Sequence, residues 1–506
     1  MIRRDQELPL SNPRDSRIRG NCGIVLRATI AACVTLLLTG LLSQTQAAES
    51  SRPNVLFVMA DDLRVEIGSF GSAAITPNLD RLARRGVQFD RAYCQQALCN
   101  PSRSSLLTGR RPDSLKLWHN SLHFRDLNPD VTTLPLWFKQ HGYTSRCAGK
   151  IFHNWHTKVK GDPGAWSSAE FLHYANHGDD KPQVQGDVPQ NLAKAPKCEC
   201  RDVSDEAYYD GRVATEAIRI LQEVKGQPFF LAVGFWKPHS PFNAPKKYWD
   251  LYDRAKLPPV DVRRPDGAPD IAFHDGRELR GTPPNLANFT PEQIAEIRHG
   301  YFAGISYLDA QLGRVLDALD QSGLTEKTMI VFLGDHGYHL GEHDLWAKTS
   351  NFELDARVPL VIAAPGVGQV GVRTSALVES LDLFPTLIDL CGLPNPANLA
   401  GTSLVPILKD PKASVKPAAF TQHPRPAYFD REPGGVPDVM GYSARTDDVR
   451  YTEWRDWKTG DVIARELYDA RHDPAETKNL IDSPVLKNAQ AEAEMRLKKQ
   501  FPTQTH

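Results

Sequence analysis

Two pairs of ionisable side chains stand directly behind apolar runs. Asn54-Val55-Leu56-Phe57-Val58-Met59-Ala60 is followed by Asp61 and Asp62, and the run from Thr328 to Leu333 leads to Asp335 and His336. Unbroken apolar runs are what a parallel sheet buried on both faces requires. In open α/β sheets, sites form outside the carboxyl ends of such strands, so both pairs belong on one rim. Three carboxylates and an imidazole converging there would repel one another without a cation, and hard oxygen donors select Ca2+ or Mg2+ over zinc. Each aspartate taken alone has a plainer reading, as a cap for the next helix. His336-x-x-His339-x-x-x-His343 offers three imidazoles, but Gly337 and Gly341 argue against one helical face presenting them to zinc.

A cysteine in a chain of 506 residues is usually a small buried hydrophobe. Cys99 instead opens the string Cys99-Asn100-Pro101-Ser102-Arg103-Ser104-Ser105-Leu106-Leu107-Thr108-Gly109-Arg110. The whole string resembles the signature of the sulfatase family, in which Cys-x-Pro-Ser-Arg is read by a modifying enzyme that oxidises the cysteine to formylglycine. Gly142-Tyr143-Thr144-Ser145-Arg146-Cys147-Ala148-Gly149-Lys150-Ile151-Phe152-His153 resembles the family's second signature. Lys237-Pro238-His239-Ser240-Pro241-Phe242, Asp335-His336-Gly337, Leu340-Gly341-Glu342-His343, Trp346-Ala347-Lys348 and Met440-Gly441-Tyr442-Ser443 are similar to the iduronate-2-sulfatase branch. The resemblance runs from about Pro53 to Asn479.

That resemblance implies a fold, a chemistry and a set of roles. The fold is an alkaline-phosphatase-like α/β domain with a mainly parallel central sheet, followed by a smaller C-terminal α+β domain with an antiparallel sheet. Cys99 becomes formylglycine, whose hydrate carries two geminal hydroxyls. One attacks sulfur, and the other lets the carbonyl re-form and expel sulfate by C–O cleavage, so the second half-reaction is built into the nucleophile. Asp61, Asp62, Asp335 and His336, with modified Cys99, match the ligands of one Ca2+ ion. The family more often has Asn where His336 stands; the iduronate-type branch has His. Arg103 would stabilise the ionised hydrate, Lys150 and Lys348 would hold the sulfate oxygens, and His153 would contact the hydrate. His239 is the candidate acid for the departing sugar oxygen. The implied partners are a sulfated saccharide, as a 2-O-sulfated uronic acid, and the formylglycine-generating enzyme. A phosphonate monoester hydrolase or phosphodiesterase of the same superfamily is the first alternative. A degenerate, sulfated-glycan-binding protein is the second.

The elements that must position these residues follow from pattern. Thr76-Pro77 opens a helix; another is expected over Asp205 to Val224, followed by a strand from Pro228 to Phe235. Thr290-Pro291-Glu292-Gln293 is a cap, a proline and a capping-box glutamine, and predicts a helix to about Leu319. Apolar strands alternating with long helices give a βαβ architecture. The stretch Asp250 to Asn288 reads as a surface excursion and His423 to Pro437 as a linker. Short strands around a turn at Gly460 and a closing helix from about Val485 to Lys499 make the C-terminal part. The expected divisions are residues 1–48, 49–430 and 431–506.

Composition limits the classes. Lys plus Arg total 60 against 61 Asp plus Glu, a formal charge of −1, which argues against a nucleic-acid binder. Eight cysteines are too few for a disulfide scaffold. Residues 1–48 carry six Arg, an apolar run from Ala28 to Leu42 and a small-residue end, as a cleaved export signal does. The expectation is an exported, periplasmic or secreted protein without a stable membrane anchor. Removing that segment leaves 54 basic and 58 acidic residues. The pair Cys198 and Cys200 is readable as bridged or free.

Overall fold

The apolar runs form the centre of a seven-stranded sheet in the computed structural model, which describes residues 52–153, 159–171, 198–281, 287–427 and 435–503. Its strands are β1 (Asn54–Asp61), β2 (Val87–Tyr93), β3 (Thr144–Gly149), β4 (Phe229–Pro238), β5 (Thr328–Gly334), β6 (Arg357–Ala363) and β7 (Val372–Glu379). They lie in the order β7-β2-β6-β5-β1-β4-β3. β1 pairs parallel with β4 and β5, β3 with β4, and β7 with β2. β6 alone runs antiparallel to its neighbours β2 and β5. Every residue of β1, β4 and β5 is buried.

The period-2 alternation of β1 divides its side chains between two cores. Leu56, Val58 and Ala60 pack with the helices Tyr209–Val224 and Pro291–Gln321. Val55, Phe57 and Met59 pack with the helices Cys99–Thr108 and Leu383–Leu390. The sheet is therefore covered on both faces, which is why its central strands carry no polar stripe. The Pro291–Gln321 helix opens on the expected capping box: Gln293 N donates to Thr290 Oγ1 at 3.3 Å and Thr290 N to Gln293 Oε1 at 2.9 Å. The helix expected from Asp205 begins instead as a 3-10 turn, Asp205–Ala207, before Tyr209.

A second sheet is antiparallel throughout: β8 (Ala419–Arg425), β9 (Val439–Arg445), β10 (Val449–Asp456) and β11 (Val462–Asp469), covered by the helix Lys487–Gln500. Gly460, at φ 76°, sits in the turn before β11. The linker expected from His423 is corrected here, because His423, Pro424 and Arg425 are buried in β8. β8 is an edge strand, where a residue without an N–H is tolerated. The excursion expected over Asp250 to Asn288 is mostly exposed over residues 251–270 and is corrected only farther on, where Ala272, Phe273 and Leu279 are buried; residues 282–286 lie outside the described residues. The export segment, residues 154–158 and 172–197, and the stretch 428–434 lie outside the described residues. Cys198 and Cys200 both lie on the short strand Cys198–Arg201 and are not bridged to each other. Among the described residues, no helix is long and apolar enough to cross a membrane.

Candidate active site

β1 and β5 end side by side and deliver their carboxylates together. Asp335 N donates to Ala60 O at 3.1 Å, and Asp335 Oδ1 accepts from Asp62 N and His336 N, both at 3.0 Å. Asp62 takes φ 60°, a left-handed turn that Asp tolerates better than most residues. Asp61, Asp62, Asp335 and His336 are all buried.

Cys99 begins the Cys99–Thr108 helix, so its sulfur lies at the positive end of the helix dipole. One turn on, Arg103 is fully buried and makes four hydrogen bonds. Its guanidinium donates to Asp335 Oδ2 at 2.8 Å, Asp61 Oδ1 at 3.0 Å, Lys150 O at 2.6 Å and Ile151 O at 3.0 Å. Lys150, at the end of β3, donates to Asp61 Oδ2 at 2.5 Å and stands over the Trp236 ring at 4.9 Å. Burial opposes ionisation of Asp61, but Lys150 and Arg103 outweigh it and hold its carboxyl well below the ordinary range.

His336 Nε2 lies 3.4 Å from Cys99 Sγ, 3.4 Å from Asp62 Oδ1 and 3.6 Å from Asp335 Oδ2. Burial disfavours its protonated form, yet Asp335, Cys99 and Asp62 outweigh burial and push it up to about 10. The donor atoms of Asp61, Asp62, Cys99 and His239 lie within 4.8 Å of one another, as do those of Cys99, Asp335 and His336. This oxygen-rich, buried donor set fits a hard divalent cation. His339 and His343 turn elsewhere, to Asp355 Oδ1 at 2.7 Å and Ala475 O at 2.8 Å, so no three-imidazole zinc site forms from them.

Lys348 is buried and bridges two carboxylates, donating to Asp62 Oδ1 and Oδ2 at 3.1 and 3.0 Å and to Glu278 Oε1 at 2.7 Å. Burial lowers its pKa, but Asp62 and Glu278 more than restore it, well above the usual value. His239 follows β4 and places Nε2 at 3.5 Å from Lys348 Nζ and 3.6 Å from Asp62 Oδ2, while its Nδ1–H donates to Ser240 O at 2.6 Å. Burial, then Lys348, lowers His239 to about 4, so it rests neutral at pH 7. His153 is buried beside the same cations and is held well below its ordinary value by burial and then Lys150. Of the residues singled out from the sequence, the structure thus gathers Asp61, Asp62, Cys99, Arg103, Lys150, His153, His239, Asp335, His336 and Lys348, and leaves out His339 and His343. Glu278 was not among them. It comes from the short helix Arg277–Arg280 inside the stretch read as an excursion, and no periodicity marks it.

The model of the family described as "Sulfatase" matches residues 53–393, and that of "N-sulphoglucosamine sulphohydrolase, C-terminal" matches residues 341–503. Iduronate 2-sulfatase of Mus musculus is 36% identical, over 84% of this chain and 90% of that protein. The solved structure of BT4656 in complex with its substrate D-glucosamine-2-N,6-O-disulfate has a TM-score of 0.71 at 23% identity, covering 89% of this chain and 97% of that one. The phosphonate monoester hydrolase of Agrobacterium radiobacter has a TM-score of 0.70 at 25% identity, covering 89% and 96%.

Proposed function

Because the chain belongs to the sulfatase family, we propose that it removes the 2-O-sulfate of iduronate or a related uronic acid in a glycosaminoglycan-like or algal saccharide. The observation that carries this reading is the convergence of Asp61, Asp62, Asp335, His336, Arg103, Lys150 and Lys348 around Cys99, in a chain 36% identical to an iduronate 2-sulfatase.

Asp61, Asp62, Asp335 and His336 would hold one Ca2+ with modified Cys99. The ion supplies Lewis-acid polarisation of a sulfate oxygen, and formylglycine supplies the geminal hydroxyl nucleophile. Arg103 stabilises negative charge beside residue 99 while pinning the carbonyls of Lys150 and Ile151, so it also sets where Lys150 points. Lys150 and Lys348 approach from opposite carboxylates, Asp61 and Asp62, and between them clamp the sulfate oxygens. His239 rests neutral; the negative charge of bound sulfate raises its pKa and favours the imidazolium that protonates the departing sugar oxygen.

The likeness to a phosphonate monoester hydrolase favours one second reading, phosphodiester or phosphonate ester hydrolysis on the same rim. Turnover of a 2-O-sulfated uronate disaccharide, an aryl sulfate and an aryl phosphodiester separates the two. The reading expects kcat/KM highest on the disaccharide. A phosphodiester that turns over while both sulfate esters stay intact overturns it.

A further inference from the structure

Lys348 is presented by a turn that the backbone does not adopt readily. Ala347 has φ 73° and Thr349 φ 94°, both in the left-handed region. For a β-branched residue such as Thr349 this is a strained outlier, and it persists only where surrounding contacts over-determine it. Two sets of contacts do so. On one side, Asp355 Oδ2 accepts from Ser350 N at 2.9 Å and Ser350 Oγ at 2.7 Å, with Asp355 itself held by His339. On the other side stands Arg425, from the far end of β8.

Arg425 is a three-way tie. Its Nη1 donates to Thr349 O at 3.0 Å, its Nη2 to Ala272 O at 2.7 Å and its Nε to Ile271 O at 2.8 Å. The guanidinium is buried and lies over the Trp454 ring at 4.7 Å, a cation–π contact that adds to its hold. One side chain of the antiparallel sheet therefore joins the turn that carries Lys348 to the segment that leads into Glu278. Those two residues meet at 2.7 Å.

We propose that Arg425 is a positioning residue, which holds the Lys348 ammonium and the Glu278 carboxylate in register for catalysis without touching substrate. This rests on the reading of Lys348 as a sulfate clamp. A planar fork is needed for the role, because three carbonyls from two segments cannot be reached from the single point of a lysine ammonium. An error of about 1 Å at a catalytic group costs up to about 100-fold.

The test is a double-mutant cycle on aryl sulfate hydrolysis with Arg425→Lys and Lys348→Ala, alone and combined, with urea unfolding of each protein. Arg425→Gln runs in parallel as a second variant. The expected result is a loss of about 10-fold or more in kcat/KM for Arg425→Lys in the native background, shrinking to under about 3-fold in the Lys348→Ala background. A merely structural role would cost the same factor in both. Equal losses in both backgrounds, native turnover in Arg425→Lys, or failure of both Arg425 variants to fold overturns the inference alone. Native turnover in Lys348→Ala overturns the reading beneath it.

Discussion

Replacing Lys150 by Met removes one charge from a fully desolvated pair while keeping most of the side-chain volume. Lys150 donates to Asp61 Oδ2 at 2.5 Å, and both side chains are at most 3% exposed. Breaking a buried pair by removing one partner costs about 3–5 kcal/mol, because the surviving charge loses its compensation. Asp61 keeps Arg103 at 3.0 Å, which places the loss toward the lower figure. Lys150 is also the stronger of the two cations that depress the Asp61 pKa, so the variant's Asp61 should titrate higher. On activity, loss of one donor to developing charge costs about 100- to 1000-fold in kcat. Urea unfolding followed by tryptophan fluorescence reads the first quantity, and aryl sulfate turnover reads the second. Intact mass must show residue 99 equally modified in both proteins. The stability deficit should be smaller in excess calcium than in chelator, since a dication takes over the compensation of Asp61. A variant within about 3-fold of native turnover, with a deficit under about 1 kcal/mol, would refute the reasoning.

Other outcomes follow from buried charges. If His336 binds calcium directly, the ion displaces a proton held up to about 10, so binding releases a proton at neutral pH and tightens as pH rises. Calorimetry in two buffers of different ionisation heat, between pH 6 and 8, detects that proton, and zero release removes His336 from the ligand set. Glu379 ends β7 and is held by Arg111 through two bonds of 2.9 Å, by Lys416 at 2.7 Å and by Phe420 N at 3.1 Å. Burial opposes its ionisation, but Arg111 and Lys416 bring it from 4.5 down to about 2. A depressed folded pKa gives stability that is present above 4.5 and lost as pH falls toward 2, on the order of 3 kcal/mol. Glu379→Gln should therefore unfold more easily at pH 7 and lose that part of the acid dependence; a variant whose urea midpoint falls between pH 5 and 2 as steeply as the native protein's would contradict it.

The rim carboxylates were legible because their strands are buried on both faces: an unbroken apolar run has to end somewhere, and Asp61 and Asp335 mark those ends. Thr290 and Gln293 were legible because a capping box is a local hydrogen-bond pattern. The direction of β6 was not, since Val358 to Ala363 reads as a buried strand whichever way it runs. His423 to Arg425 looked like linker because proline removes a ladder donor, a cost that disappears on the edge of a sheet. Glu278 was invisible for a different reason. Its segment has no period, and its position is set by Arg425 bonding to Ile271 O and Ala272 O from a strand far along the chain. Tertiary hydrogen bonds to carbonyls leave no trace in local composition.

The charges gathered at the site decide what can bring an anionic substrate to it. Asp61, Asp62, Asp335 and Glu278 face Arg103, Lys150 and Lys348, so the permanent charges sum to a negative excess that a proton on His336 only cancels. The two lysines commit their ammonium groups to these carboxylates at 2.5 to 3.1 Å, which blunts them as attractors of sulfate. The chain as a whole, at a formal charge of −1, supplies no attraction either. On the proposed reading, a dication held by Asp61, Asp62 and Asp335 would reverse the sign of the cleft and compete with the lysines for these carboxylates, which would free lysine N–H groups for an anionic substrate. On that reading the oxygen-rich donor set and the paired lysines belong to one electrostatic design, in which the cation would charge the site and the lysines would shape it.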